Sequence, residues 1–171
     1  MHYEILAGRI NIEAVEVFLQ EINAIARSNN VIIQAIDAKK VADRQHVDTA
    51  VRHAIRSFAE HRNVANDLGV EILLNLSASR QIQKALSMGV HEGAMEVLMI
   101  VLGTAKSIEA STRRLTCLLV PDPHVIDYRG EKRVQLMRMF RITEEEINAV
   151  GGDHRIPELV RERLALFDAF K

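Results

Sequence analysis

ANDLGVEILLNLSASRQIQKALSMG, residues 65–89, joins a dense apolar run to the most concentrated polar punctuation in the chain. Just ahead of it stands Val64, and Val64, Leu68, Ile72 and Leu76 recur every fourth residue, with Leu73 widening the stripe. That spacing predicts a core-facing helix. Gly69 and the order V-E-I-L-L leave a buried strand open, because a short apolar run fits either period. A Ser-rich break follows, then a second amphipathic helix in which Ile82, Ala85 and Leu86 form an i, i+3, i+4 face and Gly89 supplies the stop. Ser77 or Ser79 is expected to accept from the orphan N–H groups of its first turn, although no Glu or Gln three residues on completes a capping box. The opposite face carries Arg80 and Lys84, neighbours at i, i+4. Free N–H groups, serine hydroxyls and two cations at one helix start suit an anion such as a phosphate. The alternative is a capped helix with a solvated basic face.

Around this centre the chain alternates strands and helices. Residues 2–7 read as a strand turned by Gly8, with Asn11 as N-cap of a long helix striped by Val15, Phe18, Leu19, Ile22, Ile25 and Ala26 and ended by Asn29-Asn30. Residues 31–36 are β-branched enough for a strand. A second long helix spans about residues 45–61, with Val47, Val51, Ala54, Ile55 and Phe58 inward. Beyond Gly89, residues 94–102 suit a central strand buried on both faces. Thr104 opens a short helix to about Ser111, and residues 115–120 read as another buried strand stopped by Pro121 and Pro123. Residues 131–140 are helical, Thr143 and Glu146 form a capping box closed by Gly151-Gly152, and Pro157 suits the first turn of the last helix. That helix is apolar on more than one stripe, so it either inserts into its own core or offers a face to a partner. The resulting fold class is α+β: a small, mostly antiparallel or mixed sheet covered by helices, in a single domain over residues 1–171.

Bulk properties exclude several classes. The 48% hydrophobic and 26% charged fractions are those of a soluble globular protein, and a net charge of −1 provides no global field for a polyanion. Any nucleic-acid contact must be a local patch. A lone Cys117 excludes an internal disulfide and fits a reducing cytosol, and MHYEILAGRI lacks the charge and apolar core of a secretory signal. No run approaches the ~18 consecutive apolar residues that span a bilayer. With no Trp, two Tyr and five Phe, an aromatic platform for single-stranded bases is not expected, which leaves open a site that grips backbone phosphates.

Catalytic signatures are absent: there is no phosphate-binding loop, dinucleotide fingerprint, H-E-x-x-H, G-x-S-x-G or zinc-type cysteine pair. His46, His53 and His61 share one side of the second long helix, but spacings of seven and eight residues put successive rings about 10–12 Å apart, too far for one metal ion. Cys117 within L-T-C-L-L-V reads as an inert core thiol, and Glu144-Glu145-Glu146 serves a helix start. A stand-alone small-molecule enzyme using Cys117 or a histidine is the rival class. Arg56, Arg62, Arg80 and Lys84 would form one small basic site if their helices are neighbours.

The order I-L-x-x-x-S-x-x-R-Q-I-x-x-A-L, here Ile72-Leu73, Ser77, Arg80-Gln81-Ile82 and Ala85-Leu86, resembles the signature of the KEOPS subunit that binds the complex's small atypical kinase, the PRPK-binding protein family. His46-Val47, Ala50 and Ala54, followed by Val64-Ala65-Asn66, are similar to that family's approach to the signature. Many relatives carry Gly after the serine. Ala78 stands there in this chain and resists φ > 0, so a tighter, more helical break is expected. The resemblance implies a non-catalytic, cytoplasmic adaptor in the complex that makes N6-threonylcarbamoyladenosine in tRNA. Its implied partners are the kinase/ATPase subunit and the single-stranded 3′ CCA end of tRNA, with no cofactor, metal, membrane or small-molecule substrate. Mapped residue by residue, the tRNA-end patch falls on Arg62, Asn66, Ser77, Arg80, Gln81 and Lys84, and the kinase face on Leu159, Leu164 and Phe167 of the last helix.

Overall fold

The computed structural model describes residues 1–171, which fall into two compact units: Met1–Ala38 with Gly89–Val125, and Lys39–Met88 with Ile126–Lys171.

The first unit is built on alternation. Strands β1 (His2–Ile12), β2 (Ile32–Asp37), β3 (Gly93–Gly103) and β4 (Val120–Pro121) form a sheet in the order β2-β3-β1-β4, every pair antiparallel. Helices α1 (Val15–Asn29) and α5 (Ala105–Thr116) pack on it. Met95, Val97, Met99 and Val101 of β3, with Ile33 and Ala35 of β2, meet Phe18, Ile22 and Ile25 of α1 and Ile108 and Leu115 of α5. Leu98, Ile100 and Leu102 point the other way and are buried too, which accounts for the unbroken apolar run of β3.

Three expectations change in this unit. Gly8 does not turn the chain. It continues β1 opposite Pro121, where a Cβ would lie 2.4 Å from the Val120 carbonyl oxygen, so its missing side chain serves a close strand approach. Asn11 therefore stays in β1, and the N-cap of α1 is Ala14, which makes no side-chain cap bond. Residues 115–120 are not a buried strand. The period of Ile108, Ser111, Thr112 and Leu115, all buried, carries α5 on to Thr116, leaving two residues for β4. Cys117 consequently sits exposed at the C-cap of α5, its Sγ donating to the Arg113 carbonyl at 3.4 Å.

The second unit is helical. Asp43 caps α2 (Arg44–Ala59) by accepting from the His46 N–H at 2.7 Å, and Asp67 caps α3 (Leu68–Leu76) by accepting from the Val70 N–H at 2.9 Å. The central apolar run is thus a helix, not a strand. The next helix, α4 (Ile82–Leu86), has only five residues and buries Ala85 alone, with Ile82 55% and Leu86 56% exposed. The inward face expected for it is too short to be covered. Helix α6 (Arg133–Phe140) leads to α7 (Glu144–Val150), whose Thr143–Glu146 capping box forms as expected, and then to α8 (Ile156–Ala169), with Pro157 in its first turn. Helix α8 packs on α2, α3 and α6, and Ile156, Leu159, Val160 and Leu164 are buried. Leu159 and Leu164 are therefore core, which corrects their assignment to a kinase face: the inward stripe of an amphipathic helix is consumed by its own unit. No helix of the chain is long and apolar enough to cross a membrane.

Candidate anion-binding cleft

The break after α3 is a left-handed turn. The Ser79 N–H donates to the Leu74 carbonyl and the Ala78 N–H to the Asn75 carbonyl, both at 3.1 Å, the paired bonds of a Schellman end. Ala78 takes φ 45° to make it, where a glycine would carry no strain. The tighter, more helical break expected for alanine is not what forms, because the two carbonyls need these partners. Ser77 is buried and donates to the Leu74 carbonyl at 3.2 Å, and Ser79 Oγ accepts from the Gln81 N–H at 3.1 Å. Neither serine caps α4, whose N-cap Gln81 makes no side-chain cap bond. A five-residue helix also lacks the aligned peptides that would make its start an anion site.

His46 holds this turn from beneath. Its Nδ1 accepts from the Ala42 N–H at 3.1 Å, which places the proton on Nε2, donating to the Leu76 carbonyl at 2.9 Å. Complete burial lowers its pKa to about 4, so the ring is neutral near pH 7. The imidazole meets Phe140 edge to face, centroids 5.5 Å apart. One residue thereby positions the end of α3 and an aromatic ring at the end of α6.

Between those two ends lies a cleft of about 470 Å³. Ala78, Ser79, Gln81 and Lys84 form one side, Phe140 and Arg141 a second, and Arg163, Leu166 and Phe167 of α8 a third. Most arginines of this unit are closed by carboxylates: Arg56 by Asp168, Arg62 by Glu60, Arg133 by Glu144 and Asp153, Arg155 by Glu158, and Arg161 by Asp43. Arg163 donates to Glu146, which is the main cause holding that carboxyl below its usual range. Arg80, Lys84 and Arg141 have no carboxylate partner. Arg80 donates to the carbonyl oxygen of Phe170. Lys84 is driven below the ordinary lysine value by burial first and by the charge of Arg141 second. Two like charges facing each other across an open cleft make a ready seat for an anion.

Behind this seat, Glu71 and Lys171 form an ion pair whose side chains are both 0% exposed. Glu71 Oε2 also accepts from the Val64 and Ala65 N–H groups at 2.9 and 2.8 Å. Lys171 Nζ donates to Ser57 Oγ at 2.8 Å and Asn75 Oδ1 at 3.4 Å and lies 5.3 Å from the centre of the Phe167 ring.

Of the residues singled out from the sequence, Gln81, Lys84 and Phe167 line the cleft, and Arg80 is tied to the end of α8. Asn66 is exposed in the connection before α3, outside the lining, and Arg62 is engaged by Glu60. Ser77 is turned into its own helix. Arg56, Arg62, Arg80 and Lys84 do not make one common basic site, because the first two are neutralised where they stand. Sequence reasoning missed Phe140, Arg141 and Arg163, whose only local sign is a helix ending without glycine at Arg141, φ 52°.

The family model described as kinase binding protein CGI-121 matches residues 11–163. The chain belongs to this family. The match takes in the turn after α3, α4 and the end of α6, and it closes inside α8 at Arg163, before Leu166 and Phe167. No curated protein matches the chain.

Proposed function

We propose that the protein is a non-catalytic, cytoplasmic adaptor subunit of the KEOPS tRNA-modifying complex, binding its kinase/ATPase subunit and holding the single-stranded 3′ end of tRNA in the cleft. Membership of a kinase-binding family supports the kinase half. One observation carries the RNA half: Arg80, Lys84 and Arg141 lack carboxylates where the neighbouring arginines have them. Arg80 can grip phosphate through its remaining N–H donors, with Lys84 and Arg141 supplying charge. Phe167 supplies ring surface for a base and Gln81 a hydrogen-bonding edge, while the buried Phe140 backs the cleft. Arg62 and Asn66 belong to the approach, while the buried Ser77 shapes the turn rather than touching RNA.

Binding of intact tRNA and of the same tRNA trimmed of its terminal CCA, in one defined buffer, tests this half. Trimming, Arg80→Ala, Lys84→Ala and Arg141→Ala should each weaken binding about tenfold, the worth of one stacked base or one charge-assisted contact. Equal binding of intact and trimmed RNA overturns it.

The kinase contact falls on the outward pair Ile82 and Leu86. These apolar signature residues are both more than half exposed and four apart on one face of α4. Leu86→Asp should abolish kinase association with the fold intact, whereas Leu164→Asp should unfold the chain. Kinase binding unaltered by Leu86→Asp overturns this placement.

A further inference from the structure

We propose that Lys171 is a positioning residue for the cleft, clamping the last turn of α8 so that the Phe170 carbonyl orients Arg80 without neutralising it; this rests on the cleft being a nucleic-acid site. The carbonyl engages Nη2 alone, so the rest of the guanidinium fork stays available and keeps its full charge. A carboxylate in the same place would cancel it, as Glu60 does for Arg62. An ordered guanidinium needs a fixed acceptor, and the last turn of α8 is fixed from two sides. Lys171 enters a fully buried pair with Glu71 and bonds Ser57 and Asn75, and Asp168 pairs with Arg56. The clamp reaches the cleft a second way, through Phe167, whose ring lies beside the Lys171 ammonium and lines the cleft. It also shares Glu71 with the Val64 and Ala65 amides that lead to Asn66. Arg80, the cleft wall and the approach to α3 are thus set by one buried charge pair.

The test is a double-mutant cycle on binding of a short single-stranded RNA oligonucleotide ending in CCA, with a second measurement on the free protein. Lys171→Met should weaken the oligonucleotide about fivefold to tenfold, and should cost clearly less than that in an Arg80→Ala background, where only the Phe167 route remains. Losses that multiply overturn the proposal. Lys171→Met strands the buried Glu71 carboxylate, so Lys171→Met with Glu71→Gln, which removes both charges, and Asp168→Asn are measured beside it; Lys171→Arg should restore binding. In the free protein, the Arg80 Nε–H resonance should be distinct and slowly exchanging in the wild type and collapse toward the bulk arginine signal in the clamp variants. An Arg80 resonance indifferent to every clamp variant overturns the proposal whether or not RNA binds. A resonance that responds in a protein with no oligonucleotide affinity supports the clamp and sinks the nucleic-acid reading alone.

Discussion

The two units bury different chemistry. In the sheet unit the buried polar residues are Asp37, Ser111 and Thr112, set among an otherwise apolar interior. In the helical unit His46, Ser57, Glu71, Asn75, Ser77 and Lys132 are all sealed from solvent, and Lys132 donates to the Val41 and Ile126 carbonyls at 3.1 and 3.2 Å. Buried polar groups are costly unless every one finds a partner, so a unit that keeps so many holds its backbone in one arrangement. The difference teaches where to look for function: the cleft lies in the unit whose interior is held by directional bonds, not in the one held by area.

Breaking the buried pair should produce the largest effect. Glu71→Ala strands the Lys171 ammonium and frees two backbone donors, and should cost about 4 kcal/mol of stability by chemical denaturation. A loss below 1 kcal/mol would erase the contrast between the units. Acid should come next. His46 has a folded pKa near 4 and an unfolded one near 6.5, so the unfolded chain binds the proton more readily between these values. Its contribution is fully present above pH 6.5 and lost as pH falls toward 4, a difference of about 3 kcal/mol at most. Denaturation series at several pH values should show this slope in the wild type and its flattening in His46→Gln.

The sheet unit should be most sensitive where backbones touch. Gly8→Ala forces a Cβ against the Val120 carbonyl and should cost about 2 kcal/mol, visible as a lowered melting temperature. The smallest effect has the opposite sign. Ala78→Gly relieves a left-handed alanine and should raise stability by about 1 kcal/mol, with the fold unchanged by circular dichroism.

Periodicity made most of the architecture readable in advance. The α3 stripe, the β-branched β2, the doubly buried β3 and the Thr143–Glu146 box are all local, and each formed where its spacing placed it. The end of α5 was misread because L-T-C-L-L-V satisfies both periods, and only burial of Ile108 and Leu115 on one face decides between them. The site was half readable. Gln81 and Lys84 lie within the signature, whereas Phe140, Arg141 and Arg163 reach the cleft through helix packing across tens of residues. Carboxylate pairing is only partly visible in one dimension: Glu60 stands two residues from Arg62, but nothing local tells that Arg56 is closed by Asp168 and Arg80 by no carboxylate.

The seclusion of the Glu71–Lys171 pair has a consequence for ionic strength. Mobile ions screen exposed charges within about 10 Å at 0.1 M but do not enter a site closed to water. Raising salt should therefore weaken the field that Arg80, Lys84 and Arg141 present to any anion while leaving the bonds that shape the cleft at full strength. The charges of the cleft answer to salt, and its form does not.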